Sequence, residues 1–220
     1  MRAHTIALFG VAALFPAAVA GQVPLGSGEV LILVGPPGSG KTLQAGKLSK
    51  KYKIPSISVA DVLREHLKQG KDVPEFLRAS VAAGDLVDDR SAIELVGLRI
   101  AQPDASRGFI LDGYPASEAQ AKYLEQFIAT NRLKAPIVLV LRAPDEVVRE
   151  RLRKRRNPAD AAGNIERRIR EFHEERTFLE TWYTTQNTVS ADATGTPDEV
   201  FRQVESALKQ VAVRRTLKRR

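Results

Sequence analysis

Gly35-Pro36-Pro37-Gly38-Ser39-Gly40-Lys41-Thr42 follows the apolar run Val30-Leu31-Ile32-Leu33-Val34 and precedes the helix-like Leu43-Gln44-Ala45-Gly46-Lys47-Leu48. The stretch reads Gly, four residues, then Gly-Lys-Thr, between a strand and a helix, which is the context a phosphate-binding loop requires. Glycines let such a loop curl closely around phosphates, so that several backbone N–H groups and a helix N-terminus face the anion. Lys41 adds a mobile positive charge, and the Thr42 hydroxyl suits Mg2+ or its outer shell.

Outward from the loop, strands alternate with helices. Glu29 to Val34 reads as a strand buried on both faces, because its apolar residues from Val30 on run without alternation. The helix after the loop should end near Lys50-Lys51-Tyr52, ahead of Pro55. Ile57-Ser58-Val59 reads as a second strand, and Asp61 as the cap of a helix over Val62 to Lys68. A helix from Pro74 to about Ala83 with Gly84 beyond it comes next, then one from Asp88-Asp89 whose apolar residues include Leu95, Val96, Leu98 and Ile100. Phe109-Ile110-Leu111 and Pro136 to Leu141 are further strands, with a helix over Ser117 to Thr130 between them. Pro144 opens an arginine-rich helix, and the break from Asn157 to Asn164 separates it from an amphipathic helix over Ile165 to Tyr183. Thr188-Val189-Ser190 is the weakest strand, and Thr196-Pro197-Asp198-Glu199 is a capping box opening a last helix through Ala212, followed by a basic, solvated tail. This alternation predicts an α/β fold: a parallel sheet with helices on both faces and ligands gathered beyond the strand C-termini. The informative residues should therefore follow the strands, at Gly35 to Thr42, Ala60-Asp61, Asp112-Gly113 and Arg142.

The chain has 220 residues, 43% of them hydrophobic, enough for one sizeable domain. A net charge of +8, from 34 Lys+Arg against 26 Asp+Glu, favours anionic partners without choosing among them. The absence of cysteine excludes disulfides, thiol nucleophiles and cysteine metal sites, and three scattered histidines argue against a histidine-based one. Met1-Arg2-Ala3-His4, the apolar run Ile6 to Phe15, Pro16 and then Ala18-Val19-Ala20 follow signal-peptide grammar, so residues 1–20 are expected to be a cleaved leader. That predicts export, to the periplasm or outside the cell, with no membrane span retained; the alternatives are an uncleaved anchor, or a cytoplasmic protein with a misassigned start.

Several segments taken together resemble the adenylate kinases and their nucleoside monophosphate kinase relatives. They are GPPGSGK at 35–41 with Gln44, ISVADVLR at 57–64, AGDLVDD at 83–89, GFILDGYP at 108–115 with Gln120, the arginine helix 149–156, ERRIREFH at 166–173, and Gly195-Thr196-Pro197. Their order and spacing match over about residues 29–210. The resemblance implies a P-loop kinase core with a five-stranded parallel sheet, a small helical part for the monophosphate at about 58–87, and a short lid at about 156–165. The implied reaction is phosphoryl transfer from ATP to a nucleoside monophosphate, foremost AMP (ATP + AMP = 2 ADP), with Mg2+. A monomer without nucleic acid partners is expected.

Carried over residue by residue, the resemblance gives Gly35, Gly38, Ser39, Gly40, Lys41, Thr42 and Leu43 to the donor's phosphates, and Thr42 and Asp112 to Mg2+. Arg151 and Arg155, one helical turn apart, would meet the donor base and phosphates, with Gly195 beside the base. Arg168 would reach the transferred group. Val59, Arg64, Leu86, Val87, Gly113 and Gln120 would bind the acceptor, Arg64 at its phosphate and Gln120 at the adenine edge. Lys41, Asp112, Arg155 and Arg168 form the catalytic set. Phosphoryl transfer asks mainly for positioning and charge neutralisation, for which guanidinium forks are well shaped.

The chain departs from the family at four places. Thr42-Leu43 stands where Gly-Thr is usual, Val59-Ala60 replaces Thr-Gly, Ala116 replaces an arginine that clamps the acceptor phosphate, and Asn157 falls where a lid arginine is expected. These changes leave the donor half intact and weaken the acceptor half. They keep open a kinase for another monophosphate or phosphorylated metabolite, or a nucleotide-binding regulatory protein with little catalysis.

Overall fold

The computed structural model describes residues 27–83, 85, 87–155, 160–183 and 187–217. The expected leader, Leu86, and the Arg156 to Ala159 part of the expected lid lie outside them. Five parallel strands, β1 (Glu29–Val34), β2 (Ser56–Ile57), β3 (Gly108–Asp112), β4 (Ile137–Arg142) and β5 (Thr188–Asp192), form one sheet in the order β2-β3-β1-β4-β5. The helices are α1 (Lys41–Tyr52), α2 (Val59–Lys68), α3 (Glu75–Ala83), α4 (Asp89–Ile100), α5 (Glu118–Thr130), α6 (Asp145–Arg155), α7 (Ala162–Trp182) and α8 (Pro197–Leu217).

Side chains of β1 alternate between two cores, as a strand covered on both faces must. Val30, Ile32 and Val34 pack with Leu63 of α2, Val96 of α4 and Leu124 of α5, while Leu31 and Leu33 pack with Leu48 of α1 and Val204 and Leu208 of α8. A third, smaller cluster joins α6 to α7 through Val148, Leu152, Ile165 and Ile169. The Arg149 guanidinium reinforces that junction with two bonds to the Glu166 carboxylate, at 2.8 and 3.1 Å, which also hold the Glu166 carboxyl below its ordinary range.

Local chemistry moves some boundaries. The second strand stops at Ile57, and α2 starts at Val59 rather than Val62, because the Ser58 hydroxyl accepts the Asp61 N–H and takes the N-cap role expected of Asp61. Asp61 is in the first helical turn instead. α7 starts at Ala162, three positions ahead of Ile165, and Leu98 is exposed on α4. α8 has the expected Thr196–Glu199 capping box but continues past Ala212 into the basic segment. There Arg215 bonds Glu29 at 2.7 Å and the Ala135 carbonyl at 2.6 Å, so this part of the tail is docked rather than solvated. Glu29 is 8% exposed and pairs with Lys134 as well.

One backbone position has a measurable consequence. Gly108 opens β3 with φ +115, and a Cβ there would stand 2.2 Å from the Glu29 carbonyl oxygen. Gly108→Ala should lower the free energy of unfolding by about 2 kcal/mol or more, read as the shift in urea midpoint at unchanged m.

Candidate active site

The phosphate loop spans the end of β1 and the start of α1. Gly38 and Gly40 are at φ +78 and +89, backbone that side chains avoid, and a Cβ on Gly38 would also meet Leu152 at 3.1 Å. Lys41 Nζ donates to the carbonyls of Gly35 (2.5 Å) and Pro36 (3.2 Å), so its ammonium lies along the loop. Thr42 is the second residue of α1, and its hydroxyl donates to Asp112 Oδ2 at 2.6 Å. Asp112 closes β3 beside β1, paired in register with Leu33, which is why residues 70 positions apart meet here. A hydroxyl and a carboxylate suit a hard cation that takes its other oxygens from phosphates and water, as Mg2+ does. Among the described residues no group of three or more His, Cys, Asp and Glu side chains could hold a metal by itself.

A hollow of ≈ 220 Å³ adjoins the loop, lined by Gly38, Ser39, Gly40, Leu43, Arg151 and Gly195 among others. It therefore gathers six residues that the sequence assigns to the donor. Arg151 is anchored by three bonds, to the carbonyls of Ala193 (2.6 Å), Thr194 (2.7 Å) and Gly195 (3.3 Å), so the turn after β5 orients it. Gln44 donates to the Pro197 carbonyl at 3.0 Å, which ties α1 to α8. Ser39 Oγ and Gln44 Oε1 are buried here without a hydrogen-bond partner among the described residues.

Arg155 and Arg168 meet on Asp160. Arg155 Nε and Nη2 donate to the two carboxylate oxygens at 2.7 and 2.8 Å, and Arg168 Nη1 donates to Oδ1 at 2.8 Å. The Asp160 side chain is 1% exposed and that of Arg155 48%, so the carboxylate is the buried anchor and Arg155 reaches out from it. Sequence reasoning missed Asp160. Its signal is a lone acid in the break between the arginine-rich helix and ERRIREFH.

A larger cavity of ≈ 690 Å³ opens between β3, α2, α3 and α4, within the usual range for a small-molecule site. Val59, Val87, Gly113 and Gln120 line it, and so does Ala116. Gln120 Oε1 accepts the Ala116 N–H and its Nε2 donates to Asp89 Oδ1, both at 2.8 Å. That fixes the amide and leaves one N–H and one lone pair for a ligand. Arg64 is not among the lining residues; its guanidinium, 60% exposed, bonds Asp61 at 2.5 Å. The wall instead has Asp85, Asp88, Asp89 and Asp112, with no lysine or arginine among its described residues. The Ser91 backbone N–H, accepted at the N-cap of α4, holds the Asp88 carboxyl below its ordinary range. Arg142 lies apart from both sites, lining a separate hollow with Pro36, His173 and Asp192.

Asp112, bonded to Thr42, lines the larger cavity, while Gly40 and Leu43, which flank Lys41 and Thr42 in sequence, line the hollow beside the phosphate loop. Comparison with known proteins gives this geometry a context. The family model described as Adenylate kinase matches residues 33–188. The chain is 39% identical over 178 residues to the adenylate kinase of Mycobacterium tuberculosis (strain ATCC 25618 / H37Rv), covering 81% of this chain and 98% of that protein. It is 37% identical over 189 residues to the adenylate kinase of Chelativorans sp. (strain BNC1), covering 81% and 97%. The adenylate kinase of Mycolicibacterium smegmatis (strain ATCC 700084 / mc(2)155) is 38% identical over 180 residues, 82% of this chain and 99% of that one.

Proposed function

Because the chain belongs to the adenylate kinase family, whose members move a phosphoryl group from ATP to a nucleoside monophosphate, we propose that its acceptor is AMP and its reaction ATP + AMP = 2 ADP. The observation that carries this reading is the place of Asp112, which accepts the Thr42 hydroxyl on the donor side and forms part of the acceptor cavity wall. In this reading the phosphoryl group passes near that strand end.

In this reading Lys41 and the loop N–H groups bind the donor phosphates, and Arg151 with the turn at Gly195 holds the base. Arg155 and Arg168, aimed by Asp160, neutralise charge on the transferred group. Thr42 and Asp112 would hold Mg2+, which when bound offsets negative charge on the phosphate oxygens. Gln120 offers a donor and an acceptor side by side, the pattern that complements the N1 and N6 edge of adenine. Residues 58–87 serve as the acceptor-binding part and 156–165 as a short lid.

The acceptor half also supports a second reading, transfer to a different monophosphate or phosphorylated metabolite, because Ala116 and Val59 change the wall and no lysine or arginine lines it among the described residues. Initial rates with ATP, Mg2+ and equal concentrations of AMP, CMP, UMP and GMP separate the two. The highest kcat/KM with AMP supports the proposal; a higher value with another monophosphate supports the second reading. Among the described residues no helix is long and apolar enough to cross a membrane. We also propose that residues 1–20 direct export, which N-terminal sequencing of the native protein tests: a start at Gly21 supports cleavage and an intact Met1 refutes it.

A further inference from the structure

A phosphate dianion entering the ≈ 690 Å³ cavity meets four aspartates and no lysine or arginine in the described wall. Like charges at this range oppose binding, so the cavity as it stands needs a cation from beyond its wall. Arg64 pairs with Asp61 on exposed helix surface. Arg167, one turn into α7, is placed differently: its Nη2 donates to Asp85 Oδ1, and Asp85 is part of the cavity wall. Its Nη1 donates to Glu171 Oε1 at 2.7 Å, so a partner on its own helix steers the guanidinium across to the loop before α4. The arginine side chain is 32% exposed and the Asp85 side chain 39%, so water reaches the pair and it can exchange partners.

We infer that Arg167 is the phosphate ligand of the acceptor site in this chain, supplying from α7 the guanidinium that Ala116 lacks. Asp85 holds Arg167 at the cavity rim until the monophosphate arrives. The carboxylate is then exchanged for the phosphate, to which a guanidinium fork makes paired, charge-assisted bonds. Because Arg167 and Arg168 are adjacent on α7, seating the acceptor phosphate on the first fixes the helix that presents the second. This inference rests on the proposed transfer to a monophosphate.

The test uses the purified full-length chain and the KM for AMP and for ATP in Arg167→Gln, Arg167→Lys and Asp85→Asn, with thermal melts of each. Arg167→Gln should raise the KM for AMP about tenfold or more and leave that for ATP unchanged, with Arg167→Lys between it and the native protein. Asp85→Asn should lower the KM for AMP, because it removes the competitor for the same guanidinium. The opposite signs set a ligand apart from a structural clasp, in which loss of either partner acts alike. A KM for AMP that rises in both variants, or stays put in Arg167→Gln, overturns the inference while normal turnover leaves the proposed function standing. No transfer to any monophosphate by the native chain overturns both.

Discussion

Ala116→Arg is expected to raise kcat/KM for AMP by about ten- to a hundredfold, below the scale on which a sole charged ligand to a developing oxyanion acts, because Arg167 already serves the same phosphate. Ala116 is on the wall of the acceptor cavity, and its backbone N–H is already committed to Gln120 Oε1, so a longer side chain can be added without disturbing that turn. Ala116 lines a cavity of ≈ 690 Å³ whose described wall contains four aspartates and no lysine or arginine, so the wall itself favours an added positive charge. The KM for ATP should not change, since position 116 is outside the hollow beside the phosphate loop. In the Ala116→Arg background, loss of Arg167 should matter much less, because two guanidinium groups would then serve one phosphate. An unchanged or lower rate with AMP would mean that the wall is shaped for a different acceptor.

Asp160→Asn is expected to lower kcat about a hundredfold with a smaller effect on the KM for ATP, because it loosens the aim of Arg155 and Arg168 rather than removing either. The asparagine keeps an acceptor oxygen but loses the charge and one of two carboxylate oxygens that now take three N–H bonds. Arg155 is about half exposed, so the cost in stability should be modest, about 1–2 kcal/mol. Kinetics alone would not separate positioning from a general loss of fold; a double-mutant cycle does. Arg168→Ala should cost much less in the Asp160→Asn background than in the native chain, whereas additive losses would mean that Asp160 does not act through Arg168.

The residues expected on the donor side cluster in the structure, and that grouping was legible in the sequence because they are local or punctuated. The phosphate loop is contiguous, and Asp112 is marked by a buried strand before it and a glycine after it. Arg151 and Arg155 are a helical turn apart on one element. The parallel sheet was legible for a related reason: β1 is apolar from Val30 to Val34, and those residues do alternate between two cores. What escaped was set by side chains competing for backbone or for each other across long separations. Ser58 captures the Asp61 N–H and starts α2 early, which propensity alone does not decide. Asp160 is one acid in a polar break, informative only once α6 and α7 converge on it. Arg167 and Asp85 are 82 positions apart, and nothing in either neighbourhood marks them as a pair. The basic end of α8 looked like a solvated tail because its partners, Glu29 and the Ala135 carbonyl, belong to distant segments.

The most direct test of the account is the stoichiometry of the reaction, followed by phosphorus NMR with the purified full-length chain, ATP, AMP and Mg2+. Paired donor and acceptor sites predict two ADP for each ATP and AMP consumed, with no inorganic phosphate released. Loss of ATP to ADP and phosphate while AMP persists, or no reaction in a chain that binds ATP by calorimetry, would contradict it.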